Sequence, residues 1–220
     1  MLNDKSLTAI VPVRAGSQRV KNKNIKKFSN SNLIEIKLNT LKMIPKIDKI
    51  ILSSDSPEML ELGRKNKVIV HEREKFFASS EATNSDFFHN LTSIDDAEYL
   101  LYSPVTSPLI SRETINECLK IFEDEQLVNL VTTTLIKHHL WLNNKPLNYK
   151  IEESPNSQDL PDIHSINYGC CIIERKIMKK YKNVVSPDVK FFVTNEIESI
   201  DIDTELDFLT AEFLYNNLSN

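Results

Sequence analysis

Glycine is scarce in this chain, with three residues in 220. None of the three stands in a GxxxxGK[ST] or GxGxxG pattern, which excludes a Walker-type phosphate loop and a dinucleotide-binding fingerprint. The three cysteines have no CxxC spacing, and the adjacent pair Cys170 and Cys171 would point to opposite faces of a strand. We therefore predict reduced core thiols rather than a metal centre.

The chain also lacks an excess of basic residues and any long apolar run. Its formal net charge is -4, whereas general nucleic-acid binders are usually basic, so we expect no nucleic-acid partner. No apolar run approaches membrane-spanning length, and the N-terminus shows no cationic-then-apolar signal with a cleavage site. We therefore expect a cytoplasmic protein without a membrane partner.

Apolar runs alternate with helical patterns, which favours an α/β fold with a mostly parallel central sheet. The predicted strands cover residues 8–13, 49–53, 67–70, 98–102, 127–133, 168–173, 190–194 and 198–203. The predicted helices cover residues 33–43, 58–66, 85–91, 112–122, 175–181 and 205–217. Ser111 and Thr204 each precede a helical pattern and are predicted N-caps.

Residues 137–165, called the arm below, fit this alternation poorly. They contain His138, His139, Trp141 and three prolines among many polar residues. No internal repeat or low-complexity linker divides the chain. The sequence therefore predicts one domain over residues 1–220, with the arm as a projecting subdomain.

One glycine lies in the stretch VRAGSQRVKNKN, residues 13–24, directly after the first predicted strand. Gly16 there predicts a close approach of the backbone to another group. The stretch holds no acid and four cations, Arg14, Arg19, Lys21 and Lys23. Backbone N–H groups and cations together offer donors to a phosphate chain, and the alternative is a solvated basic loop.

Near the other end, the stretch NEIESIDIDTELDF places Asp201 and Asp203 two residues apart. In a strand, this spacing puts both carboxylates on one face, where they repel unless a cation lies between them. The pair therefore suggests Mg²⁺, which prefers oxygen ligands, and the alternative is two exposed acids on a solvated face. A phosphate loop and a metal pair together indicate metal-assisted nucleotidyl transfer.

Five segments resemble the cytidylyltransferases that make CMP-activated acidic sugars, a family that includes CMP-N-acetylneuraminate synthetases. In chain order they are IVPVRAGSQRVKNKN, ILSSDSPEML, HEREKFFASSEAT, TSPL and ESIDIDTELDF. The resemblance implies a Rossmann-like nucleotidyltransferase fold and CMP transfer from CTP to an acceptor, with Mg²⁺ and release of pyrophosphate. It also implies a homodimer in which the arm reaches the partner.

The same resemblance implies roles for individual residues. Arg14, Ser17 and Lys23 would contact the triphosphate, with Gly16 and Arg19 beside them, while Asn24 would contact the cytosine. Near the base would lie Arg73, Ala82 and Asn84. Asp201 and Asp203 match the metal-binding aspartates, so the expected catalytic set is Arg14, Lys23, Asp201 and Asp203.

The acceptor half departs from the enzymes that activate sialic acid. Their QPTSPL motif reads PVTSPL here, an expected aspartate falls at Ser80, and Ser157–Gln158 stands where Arg–Gln is expected. Neither serine nor glutamine can clamp a carboxylate as arginine does. Positive charge in the arm could come from Lys137, His138, His139 and Lys145, and the expected substrate residues are Gln158, Asn167 and Tyr168.

Three functions stay open at this point. The first is CTP-dependent activation of a nonulosonic or Kdo-type sugar acid for surface glycans. The second keeps the chemistry but uses a phosphonate or phosphate monoester as acceptor. The third is a catalytically silent relative that binds nucleotide, which the retained cations and aspartates argue against.

Overall fold

The computed structural model describes residues 2, 4–17 and 19–218. Its strands are β1 (Leu7–Pro12), β2 (Lys49–Ser54), β3 (Ile69–Glu72), β4 (Tyr99–Tyr102), β5 (Asn129–Ile136), β6 (Trp141–Leu142), β7 (Lys145–Pro146), β8 (Ile163–Glu174) and β9 (Lys190–Val193). Its helices are α1 (Leu33–Lys42), α2 (Pro57–Lys65), α3 (Lys75–Ala78), α4 (Asn84–Leu91), α5 (Arg112–Asp124), α6 (Arg175–Tyr181) and α7 (Glu205–Leu218).

Seven strands form one central sheet in the order β3-β2-β1-β4-β8-β5-β9. β8 runs antiparallel to its neighbours β4 and β5, and the other pairs are parallel. The predicted α/β fold with a mostly parallel sheet is confirmed. The order reverses beside β1, and ligands of such sheets bind at the carboxyl ends of the strands there.

Two apolar layers cover the faces of this sheet. One contains residues of α1, α5 and α7, and the other contains residues of α4 and α6. Alternate residues of β8 enter different layers, with Cys170 in the first and Cys171 in the second. The predicted opposite orientation of these two free, buried cysteines is confirmed. Because β1 is buried on both faces, its sequence LTAIVP is a nearly continuous apolar run.

Helix starts follow local hydrogen bonding. The Ser111 side chain accepts from the backbone N–H of Thr114 at the start of α5, at 3.1 Å. Thr204 accepts from the N–H of Asp207 in the same way at the start of α7, at 3.2 Å. The two predicted N-caps are therefore confirmed, since such side chains satisfy N–H groups that have no partner inside the helix.

The predicted strand 198–203 is wrong. Residues 196–199 form a turn, and residues 200–203 form an irregular segment. The reason is partly a distant contact, because the Glu198 carboxylate accepts from the N–H of Ser111 at 2.9 Å as well as from the side chain of Asn195 at 3.0 Å. These bonds close a turn where a strand would need extended backbone. The predicted strand 67–70 is instead β3, which begins two residues later.

The arm lies mostly between β5 and β8, and its last three residues belong to β8. It contains the short hairpin of β6 and β7 and two 3₁₀ turns, Ile151–Glu153 and Ser157–Asp159. Four large apolar side chains of this segment are exposed, namely Trp141, Leu142, Leu147 and Ile151. Within the described ranges, no helix is both long enough and apolar enough to cross a bilayer.

Candidate active site

A cavity of about 330 Å³ opens at the carboxyl ends of β1, β3 and β4. Nine of the residues singled out in the sequence line it, namely Arg14, Ser17, Arg19, Lys23, Asn24, Arg73, Ala82, Asn84 and Asp203. Gly16, Asp201, Gln158, Asn167 and Tyr168 lie outside its lining. The structure therefore gathers distant residues around one cavity, and the most distant of them, Arg14 and Asp203, are 189 positions apart in the sequence.

The loop after β1 is shaped by a positive φ at Gly16 and by two anchors. Gly16 has φ +76°, and a Cβ there would meet nothing within 4 Å, so glycine is needed for conformation rather than for space. The N–H of Ala15 donates to Asp55 Oδ1 at 3.0 Å, and Asn24 Nδ2 donates to the Arg14 carbonyl at 3.1 Å. The loop is thereby held with Arg14, Arg19 and Lys23 at the cavity.

Lys23 and Arg19 reach the last segment of the chain. Arg19 Nη2 lies 2.8 Å from Asp203 Oδ1, and Lys23 Nζ lies 3.9 Å from the same oxygen. Lys23 is buried and donates to the carbonyl of Ile202. Burial lowers the pKa of Lys23, and the charges of Asp203 and Asp201 oppose that shift. The first and last motifs therefore form one charged centre.

Asp201 and Asp203 flank Ile202, which is fully buried in the core. Burial raises the pKa of Asp201, a hydrogen bond from the Thr106 side chain opposes this, and the charge of Asp203 adds to it. Asp201 Oδ1 is buried without a hydrogen-bond partner in the described structure. A buried carboxylate oxygen without a donor is suited to a cation.

The donor set at this pair fits a magnesium ion in part. Carboxylate oxygens are the ligands Mg²⁺ prefers, and it commonly takes one or two of them together with substrate phosphates and water. No group of three or more His, Cys, Asp or Glu side chains within the described ranges could hold a metal. Phosphates would therefore have to complete the coordination.

Arg73 lies on the opposite side of the cavity. It is 4% exposed, donates to the carbonyl of Val13 and packs 5.2 Å from the centre of the Phe87 ring. Its Nε is buried without a hydrogen-bond partner in the described structure. Burial lowers the pKa of Arg73, and the charge of Asp55 opposes the shift. Arg73 therefore retains a donor for a polar ligand.

Ala82 and Asn84 stand beside Arg73 because α4 begins there. The Thr83 side chain accepts from the N–H of Asp86 at 3.1 Å, and Asp86 accepts from the N–H of Thr83 at 3.1 Å. This reciprocal pair is a capping box, which fixes the first turn of a helix. The turn presents Asn84, and the next turn presents Phe87, to the cavity.

The three expected acceptor residues have different environments. The Asn167 amide donates to Thr194 at 2.8 Å and Thr134 at 3.2 Å, and its oxygen accepts from the N–H of Gly169 at 3.2 Å. Tyr168 has φ +56°, which is uncommon for an aromatic residue, and its ring centre lies 6.1 Å from that of Tyr102 in the cavity wall. Gln158 is exposed in a 3₁₀ turn of the arm.

Lys137 and His139 of the arm have partners inside it. Lys137 Nζ lies 2.5 Å from Asp162 and donates to the Leu160 carbonyl at 2.6 Å. His139 lies 3.1 Å from the carbonyl of Pro155. These two side chains thus do not extend toward the cavity in this arrangement.

Three residues that the sequence did not single out complete the site, namely Asp55, Tyr102 and Thr106. Asp55 directly follows β2, Tyr102 ends β4, and Thr106 lies in the loop after β4. Their common signal is position, because carboxyl ends of parallel strands meet at one edge of a sheet. Burial raises the pKa of Tyr102, so its hydroxyl stays neutral.

Basic side chains from the first loop and the Asp203 carboxylate from the last segment line one cavity at the edge of the sheet, an arrangement that fits a nucleotidyltransferase. The chain belongs to the cytidylyltransferase family, whose sequence profile matches residues 8–167. The protein is therefore a CTP-dependent nucleotidyltransferase. The family and the fold predicted from the sequence are confirmed.

Relatives of this kind match over nearly the whole chain. Post-translational flagellin modification protein B of Campylobacter coli is 26% identical over 215 residues, which cover 91% of each protein. A pseudaminic acid cytidylyltransferase of Campylobacter jejuni is 25% identical over 219 residues, which cover 94% of each. A solved CMP:2-keto-3-deoxy-manno-octonic acid synthetase in complex with CTP has a TM-score of 0.72 at 11% identity, covering 96% of this chain and 99% of that one. This last likeness concerns the fold.

Proposed function

We propose that the protein transfers CMP from CTP to an acidic sugar of the nonulosonic-acid or Kdo type, releasing pyrophosphate for surface glycan synthesis in the cytoplasm. The observation that carries this proposal is the charged centre in which Arg19 and Lys23 meet Asp203. The names of the pseudaminic acid relative and the octonic acid synthetase support an acidic sugar as acceptor.

The triphosphate of CTP would occupy the basic side of the cavity. Its contacts would come from the backbone at Gly16 and from Arg14, Ser17, Arg19 and Lys23. Arg19 lies 2.8 Å from Asp203, and a phosphate that binds would compete with this carboxylate for the guanidinium. The cytosine would lie against Asn24, Arg73, Ala82 and Asn84, where Arg73 Nε has a donor to offer.

Asp201 and Asp203 would hold Mg²⁺, with phosphate oxygens and water as further ligands. The buried, unpartnered Oδ1 of Asp201 supports this placement. When bound there, the ion would neutralise charge on the phosphates. Release of Arg19 to the phosphates would at the same time free Asp203 for this role.

The transfer requires one bond to form and one to break. An acceptor oxygen attacks the α-phosphorus in line and loses its proton to water, while the bond from α-phosphorus to the bridging oxygen breaks and pyrophosphate takes the electron pair. Arg14 and Lys23 stabilise the charge that develops on the phosphoryl oxygens and the leaving group. Such fixed cations supply most of the catalysis in phosphoryl-type transfers.

The acceptor would enter beside Tyr102, whose ring is backed by the ring of Tyr168. Gln158 would approach only with the arm, and Asn167 would hold the backbone at Gly169 through its 3.2 Å bond. Ser157–Gln158 in place of the expected Arg–Gln leaves open a phosphonate or phosphate monoester as the acceptor. The acceptor panel below separates these classes.

We also propose that the chain acts as one catalytic domain and pairs through the arm. The exposed Trp141, Leu142, Leu147 and Ile151 support this, because exposed apolar patches of this kind mark interaction sites. A homodimer would bury them.

The experiment is pyrophosphate release from CTP with Mg²⁺, across nonulosonic acids, Kdo, phosphonates and phosphate monoesters. Release with a sugar acid, and none without acceptor, is the expected result. Release confined to a phosphonate or phosphate ester would overturn the acceptor class and keep the reaction. Calorimetric binding of CTP without pyrophosphate release from any acceptor would overturn the reaction itself.

A further inference from the structure

A lysine lies buried behind the active site without lining the cavity. Lys37 on α1 is 1% exposed, and its Nζ donates to the carbonyl of Ser107 at 2.9 Å. Lysine is rarely buried, because removing its charge from water is costly. Burial lowers its pKa to about 7, and the charges of Cys170 and Asp201 oppose that shift. An apolar side chain would fill this space without that cost.

Ser107, which Lys37 holds, belongs to the loop that contacts the segment of Asp201 and Asp203. Thr106 precedes Ser107, and its side chain hydrogen-bonds Asp201. The backbone carbonyl of Thr106 accepts from the N–H of Ile202 at 2.8 Å. The Ser107 hydroxyl donates to the carbonyl of Asn167 at 3.2 Å. Movement of the Ser107 carbonyl would therefore displace Thr106, and with it Asp201.

We propose that Lys37 is a positioning residue for nucleotidyl transfer, which holds Thr106 and Asp201 in place through the Ser107 carbonyl. The inference rests on the proposed function, because it assigns Asp201 to the metal. Lys37 itself touches neither the cavity nor the reacting groups. Its contribution is to the geometry of the carboxylate pair, and a displacement of this kind weakens metal sites without removing a ligand.

The test compares Lys37→Met with Lys42→Met, the same substitution on an exposed position of the same helix. For Lys37→Met we expect a thermal midpoint at or above that of the parent, since a buried cation is replaced by an apolar side chain of similar length. We expect kcat to fall about tenfold or more, with the KM for CTP within about twofold. Lys42→Met should match the parent in every readout.

A second readout uses Mn²⁺ as the probe and needs no turnover. Titration of Mn²⁺ in the presence of CTP, followed by electron paramagnetic resonance, should show about tenfold weaker binding to Lys37→Met. Loss of a nearby positive charge would by itself tighten cation binding, so weaker binding isolates the positional effect. Unchanged or tighter binding overturns the proposal.

Thr106→Val tests the same route without touching α1. It removes the hydroxyl that bonds Asp201 and keeps the shape of the side chain, so it should reproduce the loss of Mn²⁺ affinity. If the two residues act through one route, the double variant should be no weaker than the worse single variant. Additive losses would overturn this route.

The failure of this proposal is distinguishable from failure of the proposed function. A parent that releases pyrophosphate while Lys37→Met matches it in kcat and Mn²⁺ affinity overturns the role of Lys37 and keeps the function. A parent that releases no pyrophosphate with any acceptor overturns the function, and the Mn²⁺ titration then decides the role of Lys37.

Discussion

Single residues at the two ends of the chain build the charged centre of the cavity. Arg19 and Lys23 come from the loop after β1, and Asp203 comes from the segment before α7. The carboxylate of Asp203 offsets part of the charge of these two cations. We therefore expect phosphates that enter the cavity to compete with Asp203 for Arg19.

Lys23→Met should lower kcat by roughly 10²–10³, because it removes one fixed cation from the charge that develops on the phosphates. The fold should remain, since the lost amine bonds mainly to the carbonyl of Ile202. Pyrophosphate release under saturating CTP measures the effect, with circular dichroism for the fold. Lys120→Met, an exposed position on α5, is the matched control. A kcat near that of the parent would contradict the role of Lys23.

Lys37 should make stability depend on pH. Its pKa falls from 10.5 to about 7 on burial, and Cys170 and Asp201 are the titratable groups whose charges act on it. Above that folded pKa and up to 10.5, the unfolded chain binds the proton and the folded chain does not, so the free energy of unfolding rises with pH. Below a pH of about 7 the penalty for burying the charged amine is fully present, and its full size is about 5 kcal/mol.

The measurement is urea unfolding of the parent and of Lys37→Met between about pH 6 and pH 10. Lys37→Met should be the more stable protein at the acidic end, and the difference should shrink as pH rises. A difference that stays constant over this range would mean that Lys37 keeps one protonation state. The difference between the unfolding free energies of the two proteins removes the contribution of the titratable groups that they share.

At the scale of elements, short-range hydrogen bonds made several boundaries predictable. Ser111 and Thr204 reach N–H groups three residues further on, so the sequence itself contains each cap. The segment 198–203 was mispredicted because its partners are distant: Glu198 bonds Ser111, and the N–H of Ile202 bonds Thr106. Apolar alternation indicates which side is buried, but not whether a strand neighbour exists.

The sequence predicted the site residues that stand in charged motifs. It did not predict the residues that act by holding other parts of the site in place. Arg14, Lys23 and Asp203 stand in charged stretches, and the structure places them around one cavity. Asp55 and Lys37 act on backbone groups of distant loops, at 3.0 Å and 2.9 Å. Such contacts depend on the packing of β2 and α1 against the loops, which no local pattern records.

Thr83→Val should weaken CTP binding through the start of α4. The substitution keeps the shape of the side chain in the cavity wall and removes the oxygen that caps the N–H of Asp86. Loss of an N-cap costs about 1 kcal/mol of folding stability, and a looser first turn shifts Asn84 and Phe87. We expect the calorimetric dissociation constant for CTP to rise about threefold or more.

Ser111→Ala is the control for that effect. It removes the N-cap of α5, which is outside the lining of the cavity, so stability should fall by a similar amount. CTP binding should stay at the level of the parent. Equal CTP affinity in Thr83→Val and the parent would contradict a role of the start of α4 in CTP binding.

At the scale of the whole molecule, the arm and α7 both expose large apolar side chains. The arm exposes Trp141 at 53% and Leu142 at 59%, and α7 exposes Leu206 at 72% and Leu209 at 60%. The arm consists of short elements between β5 and β8, whereas α7 packs along one layer and exposes apolar side chains on another side. Trp141 and its neighbours also form a compact group of rings, with His139 and Trp141 beside Tyr149 at 4.7 Å and 6.2 Å.

A homodimer that forms through the arm should dissociate when its apolar side chains are replaced. The double variant Trp141→Ser and Leu142→Ser removes two large apolar contacts, and fully burying such side chains contributes about 2 kcal/mol each. Sedimentation velocity should show a dimer for the parent and monomers for this variant at micromolar concentration. The matched control, Leu206→Ser with Leu209→Ser on α7, should remain dimeric. A monomeric parent, or dissociation of the α7 variant in place of the arm variant, would contradict pairing through the arm.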